Sequence, residues 1–176
     1  MAIDRQKTET VHWHAVFTAS RAEKKVRDRL EELGVECFLP VQTVLRQWTY
    51  RKSRVVVPVI AGLVFVRVGR QEQVKVLQTK GVVAFLRLKG EAGAAVIPDK
   101  QMEDFRFLLD FSEEAVEMTN ENIKAGDLVR VVKGSLRGME GELIRHKGGT
   151  KVLVRIDMLG CAMVNIPASF VEKLNK

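Results

Sequence analysis

The residues best able to perform covalent or metal chemistry are three histidines and two cysteines, and their spacing builds no such site. His12 and His14 fall on one side of a predicted strand, without a cysteine or carboxylate cluster nearby in the sequence, and His146 is far from both. Cys37 and Cys161 are too far apart in the chain for a metal-ligand motif. Neither a nucleophile elbow nor a phosphate-cradling glycine loop occurs. We therefore expect a protein that is not an enzyme and that uses neither a metal nor a cofactor.

A polar and basic segment, Gln42–Pro58, carries side chains suited to binding nucleic acid. Trp48 and Tyr50 interleave with its positive charges, and no acidic residue occurs between Glu36 and Glu72. Arginine and lysine contact phosphates, while exposed aromatic rings stack on bases. The candidate contact residues in this segment are Arg46, Arg51, Lys52 and Arg54. The alternative is a solvated basic hairpin that binds nothing.

Composition and charge favour a soluble protein with an anionic partner. The 176 residues carry a net charge of +7 and 46% hydrophobic residues, enough for real cores. A sequence pI near 9.6 favours a polyanion or an acidic protein surface. No apolar run approaches the roughly 20 residues that a membrane-spanning helix needs, and Met1–Thr10 is polar, without the pattern of a secretory signal. We expect a cytoplasmic protein with no membrane contact, whose cysteines are free thiols.

The first half of the chain shows strand and helix periods in the order strand, helix, strand, strand, helix, strand, followed by a third helix. This order predicts an α+β fold, a ferredoxin-like sandwich. The predicted strands are Val11–Thr18, Val35–Val41, Gly62–Val68 and Val82–Leu88, with Gln42–Pro58 as a long hairpin between the second and third.

Three helices are predicted to cover this sheet. The first opens with a capping box from Ser20 to Glu23 and ends at Gly34. The second runs from about Arg70 to Gln78, and the third begins at Pro98. The apolar residues predicted to face inward are Val26, Leu30 and Leu33 in the first helix, Val74 and Leu77 in the second, and Met102, Phe105 and Leu109 in the third.

The second half contains a glycine-punctuated strand pattern. Ile123–Val132 opens with a Gly-Asp turn, and Gly134, Gly138 and Gly141 follow it at turn positions. Five short strands are predicted near Leu128–Val132, Met139–Arg145, Lys151–Ile156, Ala162–Ile166 and Phe170–Leu174, which indicates a small SH3-like β-barrel. We predict a disordered tail at residues 1–10, a first domain at 11–111, a polar linker at 112–122 and the barrel at 123–176.

These patterns resemble those of the NusG family of transcription factors, which have an NGN domain followed by a KOW domain. The glycine-rich run beginning at Ile123 looks like the KOW element. The segments resembling the NGN domain are Trp13–Phe17, Cys37–Pro40, Ile60–Val66, Thr79–Arg87 and Ala95–Pro98. Lys25–Leu30 and Cys37–Pro40 look more like the specialised paralogues of the RfaH, LoaP and UpxY kind.

Alternation along the third and fourth strands of the sheet suggests an open face. Val64, Val66 and Val68 form one face, which suits a core under the helices. Leu63, Phe65 and Arg67 form the other, and Phe85 with Arg87 repeats that arrangement. The alternative is that Phe65 and Phe85 are core residues. The resemblance favours an open face, because the family grips a coiled coil of RNA polymerase there; the implied polymerase-binding residues are Phe17, Leu63, Phe65 and Phe85.

The resemblance also implies nucleic-acid contacts and a function. Specialised paralogues read the displaced non-template DNA strand from the positions of Lys25, Arg29, Thr79 and Lys80. The expected function is an operon-specific antiterminator that binds RNA polymerase, probes non-template DNA or nascent RNA, and serves a surface or capsular polysaccharide operon. In relatives, the KOW domain contacts a small-subunit ribosomal protein or a termination factor. The alternatives are a general elongation factor and, in another class, a ribosome-associated KOW protein that binds RNA.

Overall fold

A computed structural model describes residues 9–174, and its contacts divide the chain into two compact units. The first comprises the described part of Met1–Leu39 together with Gly62–Val96, and the second comprises Pro40–Ala61 together with the described part of Ile97–Lys176. Of the predicted N-terminal tail, residues 1–8 lie outside the described residues. In chain order the elements are β1 His12–Thr18, α1 Glu23–Glu32, β2 Glu36–Phe38, β3 Val41–Gln47, β4 Lys52–Pro58, β5 Leu63–Val68, α2 Glu72–Gln78, β6 Val82–Phe85, α3 Asp99–Phe111, β7 Glu117–Thr119, β8 Asp127–Val131, β9 Glu140–His146, β10 Gly149–Ile156, β11 Gly160–Asn165 and β12 Val171–Lys173.

The first unit contains a four-stranded antiparallel sheet in the order β2-β5-β1-β6. With the β3–β4 hairpin set aside, β1, β2, β5 and β6 are the first to fourth strands along the chain. Their order across the sheet is second, third, first, fourth, which is the order of a ferredoxin-like fold. The predicted α+β fold class is confirmed. The hairpin is also as predicted, with β3 and β4 paired from Val41 opposite Pro58 to Gln47 opposite Lys52.

The valine stripe of β5 lies on the sheet face that carries the helices. Val64, Val66 and Val68 are buried. Val66 lies opposite Cys37 in β2, and residues opposite each other across antiparallel strands share a face. The Cys37 thiol donates a hydrogen bond to the carbonyl oxygen of Arg27 in α1 at 3.7 Å. The face predicted for the core under the helices is therefore confirmed.

The predicted capping box of α1 is wrong. The helix begins at Glu23, and its N-cap is Ala22, whose methyl group cannot accept a hydrogen bond. Arg21 has a φ of 57°, in the left-handed region, so the chain turns sharply just before the helix. Instead of capping α1, the Glu23 carboxylate accepts the amide of Gly62 at 2.7 Å and joins α1 to the start of β5.

The inward faces of the helices differ in part from prediction. Val26, Leu30, Met102 and Phe105 are buried as expected. Leu33, Val74 and Leu77 are exposed, while Val76 is buried. Helix α2 begins at Glu72, two residues later than predicted, and Val76 is its buried residue. In α3, Leu108 is buried in place of Leu109.

The second unit contains a six-stranded antiparallel sheet in the order β12-β8-β9-β10-β11-β7. The five predicted strands are present, and Val129, Val131, Val152 and Val154 are buried. The predicted closed barrel differs from the observed sheet, because among residues 9–174 its end strands β12 and β7 pair only with β8 and β11.

The predicted linker 112–122 does not remain free of secondary structure. Its residues Glu117–Thr119 form β7 and pair with Met163–Cys161 of β11. The segment was predicted to be a tether because it is polar and its apolar residues show no regular spacing. An edge strand of three residues needs little apolar pattern, because its hydrogen bonds to the neighbouring strand come from the main chain. This segment is part of the second sheet.

The buried His14 predicts that the stability of the first unit falls at acidic pH. His14 is held with Nδ1 2.8 Å from the Ala95 carbonyl oxygen and Nε2 3.5 Å from the Gln73 side-chain amide. With Nδ1 donating and Nε2 accepting, the ring is neutral, and burial lowers its pKa below the ordinary value. Because the unfolded chain takes up a proton near pH 6.5 that the folded ring disfavours, the free energy of unfolding should fall as the pH drops below that value.

Urea unfolding at pH 7.5 and 5.5, followed by the signal of buried Trp13, measures this effect. We expect wild type and His12→Gln to lose stability on acidification, and His14→Gln to lose less. An equal loss in wild type and His14→Gln would contradict the assignment.

Candidate nucleic-acid interface

A small basic cluster forms where α1 meets the turn between α2 and β6. The guanidinium of Arg29 donates from Nη1 to the carbonyl oxygen of Lys80 at 2.6 Å, although the two residues are 51 positions apart. Lys25, one turn earlier in α1, and Lys80 are exposed. Gly81 permits this approach: its φ is +99°, and a Cβ there would lie 2.8 Å from Val26 Cγ2. The fold thus brings together Arg29 and Lys80, two of the predicted DNA-contacting residues.

Thr79 supports this turn from within. Its side chain is buried, and its hydroxyl donates to the carbonyl oxygen of Lys75 at 3.0 Å, at the end of α2. A buried hydroxyl that already has a partner is a poor contact for a base or a phosphate. The structure therefore gives Thr79 a positioning role beside Lys80.

Neighbouring charges decide how much positive potential the cluster has. Arg27, on the same helix, donates to the Asp28 carboxylate at 2.6 Å, and this hydrogen bond raises the pKa of its guanidinium. An arginine paired in this way has less electrostatic attraction to offer a phosphate. Arg27 therefore adds less to the attraction of α1 for an anion than Lys25 and Arg29 do.

The β3–β4 hairpin presents the predicted basic and aromatic residues on a protruding turn. Trp48 and Arg51 close the turn with reciprocal main-chain hydrogen bonds of 2.8 and 3.4 Å. Tyr50 at the tip is 97% exposed, and Trp48 is also exposed. Lys52 and Arg54 share one face of the hairpin, whereas Arg46, opposite Ser53, lies on the other. A single strand can thus contact one face and the tip, but not all four basic residues equally.

The same hairpin face carries apolar residues that the sequence analysis missed. Leu45, opposite Arg54, is 71% exposed, and Val56 is also exposed. The sequence carries no clear signal for this, because Leu45 directly follows Val44 and Val56 directly follows Val55, so apolar alternation does not tell which of them is exposed. Leucine and valine beside arginine suit a protein surface as well as bases.

The structure does not present the predicted polymerase patch as one exposed surface. Phe17 is 42% exposed, whereas Leu63 and Phe65 are buried. The Phe65 ring stacks on Phe38 with centroids 6.1 Å apart. Register places Phe17, Leu63 and Phe65 on one face, since Phe17 lies opposite Leu63 and Phe65 opposite Ala15.

Phe85 is on the other face of the sheet, and its predicted grouping with Phe65 is corrected. It lies opposite Val16, and its ring meets the His14 ring edge-on at 5.8 Å. An irregularity between Phe17 and Thr18 shifts the register of β6, so alternation counted from the sequence assigned the wrong face.

Within residues 9–174, no group of three or more histidine, cysteine, aspartate or glutamate residues is arranged to hold a metal ion. Burial raises the pKa of the Cys161 thiol, which lowers its reactivity at neutral pH. Over the same range, every helix is too short or too polar to cross a bilayer.

Comparisons with known proteins give a match to one family model and to several solved structures. The family model described as transcription termination factor nusG matches residues 11–106. Thermotoga maritima NusG, solved in a study of its domain interaction, is 23% identical, with a TM-score of 0.50 over 94% of this chain and 98% of that one. The MjSpt4:Spt5 complex in conformation B is 18% identical, with a TM-score of 0.29 over 93% of this chain and 97% of that one. A search of curated proteins gives no significant match.

Proposed function

Because this chain belongs to the NusG family of transcription factors, we propose that it binds RNA polymerase and suppresses pausing and termination as an operon-specific antiterminator. Its target would be an operon for a surface or capsular polysaccharide, as the likeness of Lys25–Leu30 and Cys37–Pro40 to specialised paralogues suggests. The second sheet would act as a KOW domain that contacts a small-subunit ribosomal protein or a termination factor.

The observation that carries the specificity is the hydrogen bond from Arg29 to the Lys80 carbonyl oxygen. It holds the main chain of the turn at Lys80, whose side chain is exposed, as is that of Lys25. A turn held in this way limits the positions that the Lys80 side chain can reach, and such restriction favours contact with particular bases over general attraction to phosphates. This arrangement supports contact with bases of the displaced non-template strand.

Polymerase contact is proposed for the exposed apolar residues. Phe17 offers a half-exposed ring on the sheet, and Leu45 and Val56 offer a second apolar site on the hairpin. Leu63 and Phe65 are core residues in this structure, so their part in the predicted patch would require them to become exposed.

Single-round transcription with RNA polymerase of the same organism tests this function. One template carries the leader of the operon beside which the gene lies, and another carries an unrelated pause and terminator. We expect read-through to rise on the leader alone and Lys80→Glu to abolish the rise, while Lys75→Glu, an exposed reversal on α2, keeps it. Equal read-through on both templates would show a general elongation factor. RNA binding without any effect on either template would favour a ribosome-associated protein.

The hairpin prediction concerns salt dependence. Reversing Arg51 and Lys52 to glutamate should weaken binding to single-stranded nucleic acid and lower the slope of log affinity against log salt by about 1 to 2, because fewer counterions are released. The control is a matched double reversal to glutamate at Lys75 and Lys89, which are also exposed. It should lower the slope of log affinity against log salt less than the hairpin variant does. Fluorescence anisotropy at several salt concentrations gives both slopes. Equal slopes in the two variants would make the hairpin a solvated surface.

A further inference from the structure

Residues 116–123, which we term the strap, lie along the edge of the second sheet and pack at their downstream end against one of its faces. Strand β7 within the strap pairs antiparallel with β11, with Glu117 opposite Met163 and Thr119 opposite Cys161. Because Ile166 donates its amide to Thr150 of β10, alternation along β11 turns the amides of Cys161 and Met163 toward β7. The strap therefore covers main-chain groups that would otherwise form an open sheet edge.

A buried lysine holds the middle of the strap. Lys151 of β10 is only 4% exposed, and its ammonium donates to the Glu117 carboxylate at 2.7 Å. A buried ammonium without an anion is strongly unfavourable, so the Lys151 side chain requires a carboxylate partner at this point of the sheet edge. The hydrogen bond with Lys151 lowers the pKa of Glu117, so this carboxylate stays charged to a lower pH than an ordinary glutamate does.

The downstream end of the strap covers apolar surface. Ile123 packs against a buried cluster formed by Ile144, Leu153, Cys161 and Met163. Its carbonyl oxygen accepts a hydrogen bond from Arg155 Nη2 at 3.0 Å. Arg155 is itself fixed by two hydrogen bonds to the Glu142 carboxylate, at 2.6 and 2.9 Å.

The upstream end is joined to the hairpin. The Gln42 side chain of β3 accepts the Val116 amide at 2.9 Å and donates to the Val116 carbonyl oxygen at 3.2 Å. A side-chain amide that both accepts and donates in this way imitates a neighbouring strand. These two hydrogen bonds join the hairpin to the start of the strap.

A glycine in β11 leaves room for the strap. Gly160 has a φ of +100°, and a Cβ there would lie 2.2 Å from the Thr119 carbonyl oxygen. Any residue other than glycine at this position would thus have a strained backbone conformation and would clash with the strap. The close approach is an independent sign that the sheet is built to receive a strand here.

We propose that the strap is a detachable strand that occupies a docking edge of the second sheet, with Lys151 as the residue that recognises it. Three paired residues make a short ladder, and such edge segments open at lower free energy than the rest of a sheet. The edge accepts an extended segment with a carboxylate opposite Lys151, and the strap, while docked, keeps any other segment of this kind out.

The test uses the full chain with a proline in the strap. The Thr119 amide faces β11, so Thr119→Pro removes a ladder donor, whereas Met118→Pro alters an amide that faces away and is the matched control. Hydrogen exchange should accelerate at Cys161 and Met163 in Thr119→Pro but not in Met118→Pro. The amides of Ala162 and Val164, which face β10, should stay protected in both. Unchanged exchange at Cys161 and Met163, or loss of protection across the whole sheet, would overturn the proposal.

A synthetic peptide covering residues 115–124 then probes the vacated edge. It should bind Thr119→Pro and restore the protection of Met163, and it should bind wild type far more weakly, because the wild-type edge is occupied. A peptide with Gln in place of Glu117 should bind about tenfold more weakly, since a charge-assisted hydrogen bond is lost. Equal binding of the two peptides would remove Lys151 from the recognition, and equal binding to wild type would show that the strap does not occupy the edge.

Discussion

Phe65→Ala is expected to reduce the free energy of unfolding by about 3–5 kcal/mol, the usual loss for a fully buried phenylalanine. The Phe65 ring is 0% exposed, lies in β5 between β1 and β2, and stacks on Phe38. Truncation removes the buried ring and leaves a cavity that β-strands paired on both sides cannot easily close. Urea or guanidinium denaturation, followed by the signal of buried Trp13, measures the loss.

Phe17→Ala is the matched control, because Phe17 lies on the same sheet face but is half exposed. It should cost less than about half as much, since area that solvent already reaches contributes little to stability. The same variant tests polymerase contact: we expect Phe17→Ala to weaken association while the domain stays folded. A small loss of stability in Phe65→Ala, together with lost polymerase binding, would return Phe65 to the polymerase patch.

Gly126→Ala is expected to destabilise the second sheet by about 1–3 kcal/mol, the range for overpacking a rigid site. A Cβ on Gly126 would lie 2.2 Å from the Leu143 carbonyl oxygen, which is main chain and cannot swing aside. The clash would also displace the Gly126 amide from the Glu142 carboxylate, which it contacts at 3.0 Å. Thermal or chemical unfolding of the full chain, followed by the amide signals of β9 and β10, measures the effect.

Gly149→Ala in β10 provides the comparison within the same sheet. A Cβ there would meet Asn165 Oδ1 at 3.4 Å and the His146 carbonyl oxygen at 3.8 Å, both ordinary contacts. Alanine also reduces the freedom of the unfolded chain, so this variant should be neutral or gain up to about 1 kcal/mol. If Gly126→Ala were equally harmless, the close approach of Gly126 to β9 would not be a constraint on the sequence.

Element types and order could be predicted from the sequence because the periods were strong and locally encoded. The valines of β5 and the glycine turns of the second sheet each fix a strand within a few residues. The start of α1 could not be found in the same way: Ser20 and Glu23 matched a capping box, but the Glu23 carboxylate accepts the amide of Gly62, which lies 39 residues away. Such a long-range partner leaves no trace in a local pattern.

The residues of the candidate site were predicted from the resemblance, but their burial and their contacts could not be predicted from the sequence. Lys25, Arg29 and Lys80 could be named by resemblance, yet the hydrogen bond that joins Arg29 to Lys80 depends on how α1 lies beside the turn after α2. The face of Phe85 failed because a single irregularity in the pairing of β6 reverses the alternation. Strand β7 was missed because its main-chain pairing needs no apolar side-chain pattern.

The strap also affects how much of the segment between α3 and β8 is free to extend. While β7 is docked, residues 112–116 join Phe111 to Glu117, the first residue of β7, and such a stretch spans at most about 20 Å. If the whole strap is released, the run from Phe111 to Gly126, whose amide contacts the Glu142 carboxylate, spans at most about 50 Å. Release of the strap, as proposed, would thus lengthen the part of the chain that can extend between the end of α3 and β8 from about 20 Å to about 50 Å.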